Sequence, residues 1–91
     1  MTQKWRWYVY IVECKDEVYY TGMTWKISTR MEQHFSGLGS KFTSEHGFKK
    51  LLYYEEFEDL ECARSRELQI KGWSRKKKDN LINGDWHKEW Q

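Results

Sequence analysis

The sequence contains no proline, and its 91 residues include neither an internal repeat nor a linker-like stretch. Nothing marks a domain boundary, so the chain reads as one domain over 1–91, with a core at 7–82 and a C-terminal tail at 83–91. Cysteine is scarce: Cys14 and Cys62 are too far apart for a metal knuckle and too few for a disulfide framework. Both are expected to be reduced packing residues. Long apolar runs are missing as well. No stretch approaches the ~20 apolar residues that a membrane helix needs, and the opening MTQKWRW lacks the apolar centre of a signal peptide. The expectation is a cytoplasmic protein with no membrane partner. Charge of one sign is not in excess either, and a net charge of +2 exerts by itself little pull on a polyanion.

What the chain does have is aromatic and charged side chains, 18% and 33% of its residues. A chain this short buries a modest fraction of its surface, so the aromatics must carry much of the core. The charges are segregated. Glu55, Glu56, Glu58, Asp59 and Glu61 form an acidic cluster, and Lys71, Arg75, Lys76, Lys77 and Lys78 a basic one. That map suits a protein with one side toward phosphates, and it equally suits two solvated faces.

Residues 7–12 (WYVYIV) and 18–23 (VYYTGM) are rich in aromatic and β-branched side chains and read as two strands of an antiparallel hairpin around the turn CKDE. Gly22 ends the second strand, where a missing Cβ permits unusual backbone or the close approach of a ligand. Ile27, Met31 and Phe35 recur every four residues and predict a helix over 25–35. The glycine-containing segment 37–47 reads as an ordered surface loop. Residues 50–57 form a third strand. Asp59 caps a second helix that reaches 71, and Ser74 caps a short basic third one closed by Asn83 and Gly84. Trp86 and Trp90, four apart, suggest either one more helical turn laid on the body or a frayed tail, with a partner patch if they are exposed.

Glu67 is the residue most out of place. At about 100° per residue, Leu60, Ala63 and Ile70 share one narrow helical arc, and Glu67 falls inside it. A carboxylate aimed at a core is costly unless a cation or a set of donors compensates it. The compensation is either a metal ion or a buried ion pair with an arginine. Arg30 and His34, one turn apart, lie on the edge of the Ile27, Met31, Phe35 stripe. Arg30 there is either a fork for phosphate or a snorkelling side chain, and His34 either a proton donor and acceptor or a satisfied boundary histidine. On the first strand Tyr8 and Tyr10 share one face, and Trp7, Val9 and Ile11 the other. Tyr20 joins Tyr10 only if the connecting loop holds an odd number of residues, since a one-residue slip turns every side chain over. An odd loop is expected. Tyrosines on such a face are either packing groups with wet hydroxyls or parts of a site.

The order of these pieces carries a resemblance. The chain has WYVYI at 7–11, YTGMT at 20–24, TRMEQH at 29–34, GLGSKFT at 37–43, EEF at 55–57 and RELQIKGWSRKKK at 66–78. In that order and spacing they resemble the GIY-YIG nuclease superfamily, and more closely its compact stand-alone branch, over residues 7–82. Tyr8 replaces the glycine of the first signature and Thr21 the isoleucine of the second. Met23 stands where some members carry a lysine, which removes one cation from the site.

The resemblance implies a small α/β (α+β) fold, a three-stranded antiparallel sheet flanked by helices in the order β-β-α-β-α-α. It also implies a site in which Tyr10, Tyr20, Arg30 and His34 are catalytic and Glu67 holds one Mg2+ or Mn2+ ion. Lys41, Lys71, Arg75, Lys76, Lys77 and Lys78 would bind flanking phosphates at a salt-sensitive cost. The implied activity is metal-dependent endonucleolytic hydrolysis of DNA, with RNA also open. It would be directed by structure rather than sequence, because members that read sequence usually carry an attached DNA-reading domain. The other reading is a module of the same fold that grips nucleic acid without cutting it, or acts through a protein partner.

Overall fold

The computed structural model describes residues 6–84, and the C-terminal turn expected around Trp86 and Trp90 lies outside them. Strands β1 (Trp7–Cys14), β2 (Tyr19–Thr24) and β3 (Phe48–Phe57) form one antiparallel sheet in the order β2-β1-β3. Helices α1 (Ile27–Phe35) and α2 (Lys41–His46) connect β2 to β3, and α3 (Leu60–Lys71) and α4 (Arg75–Ile82) follow. The sheet flanked by helices is the one expected, with one local correction. The segment 37–47, expected as a loop, carries α2. Gly37 and Gly47, both at positive φ, bracket it and disguise it in the sequence, while the Ser40 hydroxyl caps it by accepting the Thr43 N–H at 3.1 Å. Strand β3 also begins earlier than expected, at Phe48.

The hairpin turn decides which side chains share a face. The Cys14 N–H donates to the Val18 carbonyl and the Glu17 N–H to the Cys14 carbonyl, each at 2.9 Å, and Glu17 adopts the left-handed conformation at φ 70°. Three residues, 15–17, thus separate the paired Cys14 and Val18, an odd loop of the type closed by a left-handed residue. In the resulting register Tyr10 lies opposite Gly22 and Val12 opposite Tyr20. Tyr8, Tyr10 and Tyr20 therefore share one face. On the other face Val9 and Ile11 are buried with Ala63, Ile70 and Leu81, and Trp7, Tyr19, Met23 and Trp73 close around them.

The helix caps fall where expected: the Asp59 carboxylate accepts the Glu61 N–H at 3.1 Å, and Ser74 Oγ accepts the Lys77 N–H at 3.2 Å. Two side chains placed in apolar arcs by periodicity are not in the core. Phe35 is 82% exposed and Leu60 is also exposed. The buried residue of α1 is His34 instead, because the sheet face it covers presents tyrosine hydroxyls rather than hydrocarbon alone. Cys14 is buried as expected, but Cys62 is exposed. Helix α3 turns Ala63 and Ile70 to the sheet, and residue 62 points about 100° away from its neighbour. Among the described residues no helix is long and apolar enough to cross a membrane.

Candidate active site

His34 is held by both of its ring nitrogens. Nε2 lies 2.8 Å from the Tyr10 hydroxyl, and Nδ1 lies 2.7 Å from Thr43 Oγ1. Thr43 is fully buried on α2, and its hydroxyl continues to Ser40 Oγ at 2.8 Å. The imidazole stacks on Phe48 at 5.8 Å and meets the Tyr10 and Tyr20 rings edge-on at 5.6 and 5.7 Å. Two glycines supply the space. A side chain at Gly22 would run into the Tyr10 phenol and the Tyr20 ring, and one at Gly39 would run into the imidazole. Gly22 thus serves the close approach of a phenol.

Burial pushes the Tyr10 phenol up to about 12; Tyr20 and the Glu67 carboxylate act in the same direction, and the Arg30 guanidinium beside it acts against them. Burial likewise lowers His34 to about 4, with Arg30 adding to the effect. The two values stand so far apart that the resting proton stays on Tyr10 while the imidazole is neutral at pH 7. Arg30 from α1 and Glu67 from α3 therefore act on the same phenol of β1, although their helices cover opposite faces of the sheet.

The Arg30 Nε is buried and has no hydrogen-bond partner among the described residues. Such a donor costs about 1–3 kcal/mol unless something supplies an acceptor. Arg30 also borders a surface depression of about 290 Å3 together with Thr24, Trp25 and Lys26. The Glu67 side chain is only 16% exposed, and the cation beside it is Lys71 at 3.4 Å, one turn along the same helix.

Tyr20 is half-buried, its ring stacks on Phe42 at 5.5 Å, and its hydroxyl has no hydrogen-bond partner among the described residues. Phe42 stacks in turn on His46 at 4.2 Å, whose Nδ1 lies 2.5 Å from the Asp16 carboxylate. Lys41 stands exposed at the start of α2, next to Phe42. The basic residues of α4 are engaged elsewhere. Arg75 donates to the Glu17 carbonyl at 2.7 Å and covers the Tyr19 ring at 3.6 Å, and Lys77 sits over Trp73 at 4.7 Å. Lys78 is half-buried, which lowers its pKa, and Lys76 is exposed. The structure thus gathers Tyr20, Arg30 and His34 around the Tyr10 phenol, while Glu67, on the helix of the other face beside Lys71, reaches that phenol only weakly through its charge. Arg75 and Lys77 pack against residues of the opposite face.

Three participants lie outside the candidate site read from the sequence: Ser40, Thr43 and Gly39. The signal for them was the spacing Ser-x-x-Thr in GLGSKFT, an N-cap followed three residues later by a second hydroxyl. The EEF and RE pieces also find a structural use. Arg66 donates through two nitrogens to both oxygens of Glu55, at 2.9 Å each, and the Tyr53 hydroxyl donates to the same carboxylate at 2.5 Å. This clamp ties α3 to β3 immediately beside Glu67.

Residues 6–80 match the family described as the GIY-YIG catalytic domain. A UPF0213 protein of Clostridium perfringens is 45% identical over 82 residues, covering 90% of this chain and 88% of its own length. Another, from Haloquadratum walsbyi, is 43% identical over 74 residues, covering 81% of this chain and 83% of its own. The solution NMR structure of a UPF0213 protein from Bacillus halodurans aligns with a TM-score of 0.56 at 40% identity, over 86% of this chain and 83% of that one.

Proposed function

The chain belongs to the GIY-YIG nuclease family, and from that membership we propose that it is a divalent-metal-dependent endonuclease hydrolysing phosphodiester bonds in DNA. The observation that carries this reading is the buried Arg30 Nε without a hydrogen-bond partner among the described residues, on the helix that also sets His34 against the Tyr10 phenol. Glu67 adds a carboxylate largely withdrawn from solvent, beside which the cation among the described residues is the lysine of its own helix.

Glu67 suits Mg2+ or Mn2+. It is an anionic oxygen donor largely withdrawn from solvent, and these hard ions keep several waters, so a single carboxylate suffices. Such an ion, when bound, supplies polarisation of the scissile phosphate and its leaving oxygen. Arg30 binds the non-bridging oxygens, where charge builds as the bond breaks. Tyr20, the more accessible phenol, holds the attacking water through its free hydroxyl. Tyr10 and His34 lie beneath it and take up the proton, the phenol passing its own to Nε2 as it receives one from water. A phenol at about 12 is a poor base by itself at pH 7, so Arg30 and any other cation beside it have to lower its pKa before it acts.

Lys41, next to the Phe42 that stacks on Tyr20, and Lys71, next to Glu67, contact the flanking phosphates, and Lys76 with Arg75, Lys77 and Lys78 extends the basic surface along α4. RNA is the other substrate the same chemistry accepts.

The test is a nicking assay on supercoiled plasmid, branched DNA and RNA with Mg2+, Mn2+ or chelator, run beside Glu67→Ala. Cleavage that needs the ion and is lost in the variant supports the endonuclease. Nucleic-acid binding that the substitution leaves unchanged, without cleavage by either protein, makes the chain a binding module.

A further inference from the structure

Helix α2 is six residues long and mostly exposed, yet Thr43 within it is fully buried. Valine has nearly the same shape and no hydroxyl to desolvate, so the hydroxyl earns its place through its partners. These are His34 Nδ1 at 2.7 Å and Ser40, through Oγ at 2.8 Å and the carbonyl at 3.4 Å. A carbonyl only accepts, so the contact with Ser40 draws the Thr43 proton to that side. Ser40 Oγ also spends a lone pair on the Thr43 backbone N–H at 3.1 Å. The Thr43 oxygen is left with lone pairs toward the imidazole, and what satisfies them is an Nδ1–H.

We infer that Ser40 and Thr43 are positioning residues of the site, holding His34 as its Nδ1–H tautomer with the bare Nε2 facing the Tyr10 hydroxyl 2.8 Å away. The inference deepens the endonuclease reading and rests on it for the roles of Tyr10 and His34. The opposite polarity, Nε2–H against the phenol oxygen, requires Thr43 to donate to Nδ1 and abandon the Ser40 carbonyl. The groups facing the ring are Tyr10, Tyr20 and Phe48 from the sheet, Thr43 from α2 and Arg30 from its own helix. None is a carboxylate, so nothing there favours protonating both nitrogens. A proton leaving Tyr10 then has one destination, because the phenol O–H bond that breaks points at the nitrogen where the new N–H bond forms. Gly39 belongs to the same device, since the chain between α1 and α2 passes directly against the imidazole and leaves no room for a side chain.

The tautomer is read from the His34 ring nitrogens by two-bond 1H–15N correlation on the labelled full-length chain at pH 7, without nucleic acid or metal. The expected spectrum has a protonated Nδ1 and a bare Nε2 in the wild type and in Thr43→Ser, and a mixed or reversed pattern in Thr43→Val. In the plasmid assay Thr43→Val is expected to lose roughly 10–100-fold in kcat at unchanged KM, and Thr43→Ser to restore most of it. A wild-type His34 carrying its proton on Nε2 overturns the inference, as does a Thr43→Val protein with wild-type tautomer and rate. The wild-type spectrum decides even if Thr43→Val fails to fold. A wild type with the expected tautomer and no nuclease activity overturns the endonuclease reading instead.

Discussion

The Tyr10 hydroxyl and His34 Nε2 lie 2.8 Å apart with both side chains fully buried, so a buried polar contact joins the central strand to the first helix. Tyr10→Phe keeps the ring and leaves one buried imidazole nitrogen without its partner. The expected loss is about 1–3 kcal/mol in urea unfolding, since an unmade buried hydrogen bond costs the desolvation of the group left behind. Nicking should fall together with it. A variant as stable as the wild type would mean that the contact contributes nothing.

Stability should also depend on pH through His34. Its folded value near 4 lies below the ordinary 6.5 because burial and Arg30 disfavour the imidazolium. Between those values the unfolded chain binds a proton that the folded one refuses, so stability falls as pH drops from about 6.5 toward about 4. Above pH 6.5 the ring is neutral in both states and adds no further dependence. The full effect is about 3 kcal/mol. It is measured as the difference between wild type and His34→Gln in urea midpoints across that range; parallel curves would refute it.

Gly22→Ala inserts a methyl group where the Tyr10 phenol and the Tyr20 ring already stand. Both rings must move. The expected cost is about 1–3 kcal/mol of stability, and misplacing the phenols should reduce nicking on the order of 100-fold. Retained activity with shifted aromatic resonances would show that the site tolerates displaced phenols.

Lys41 and Arg75 are both basic but should fail differently. Lys41 is exposed next to Phe42, whose ring stacks on Tyr20, whereas Arg75 holds the hairpin turn through the Glu17 carbonyl and the Tyr19 ring. Lys41→Ala is expected to lower the salt dependence of DNA binding by about one unit of slope while leaving the unfolding midpoint alone. Arg75→Ala is expected to cost about 1 kcal/mol of stability. Filter binding at several salt concentrations, paired with urea unfolding, separates the two.

Much of this was legible in the sequence because the strands and caps obey local rules. The β-branched and aromatic run 7–12 lies within β1, Asp59 and Ser74 cap the helices they precede, and the three-residue turn puts Tyr20 beside Tyr10. Glu67 could be picked out because a carboxylate in an apolar arc is anomalous on any helix. His34 was harder. Helical periodicity assumes that the buried stripe is the apolar one, and α1 buries an imidazole while exposing Phe35. Thr43 and Ser40 were hidden for a related reason: glycines on either side of a six-residue helix read as a loop, and only the tertiary contact with His34 gives the hydroxyls their use. Glu55 stood in an acidic cluster that equally suited a solvated face, and Arg66 only in the family-like piece 66–78. Their pairing depends on how β3 lies against α3, which no local pattern encodes.

Strand β1 has an antiparallel neighbour on either side, so the segment bearing Tyr10 presents no open edge. Its amides are expected to exchange with solvent only when the sheet parts. The phenol is therefore anchored in the last piece of the molecule to come undone. Loss of the strand that bears Tyr10 therefore means loss of the whole sheet, not of one edge of it.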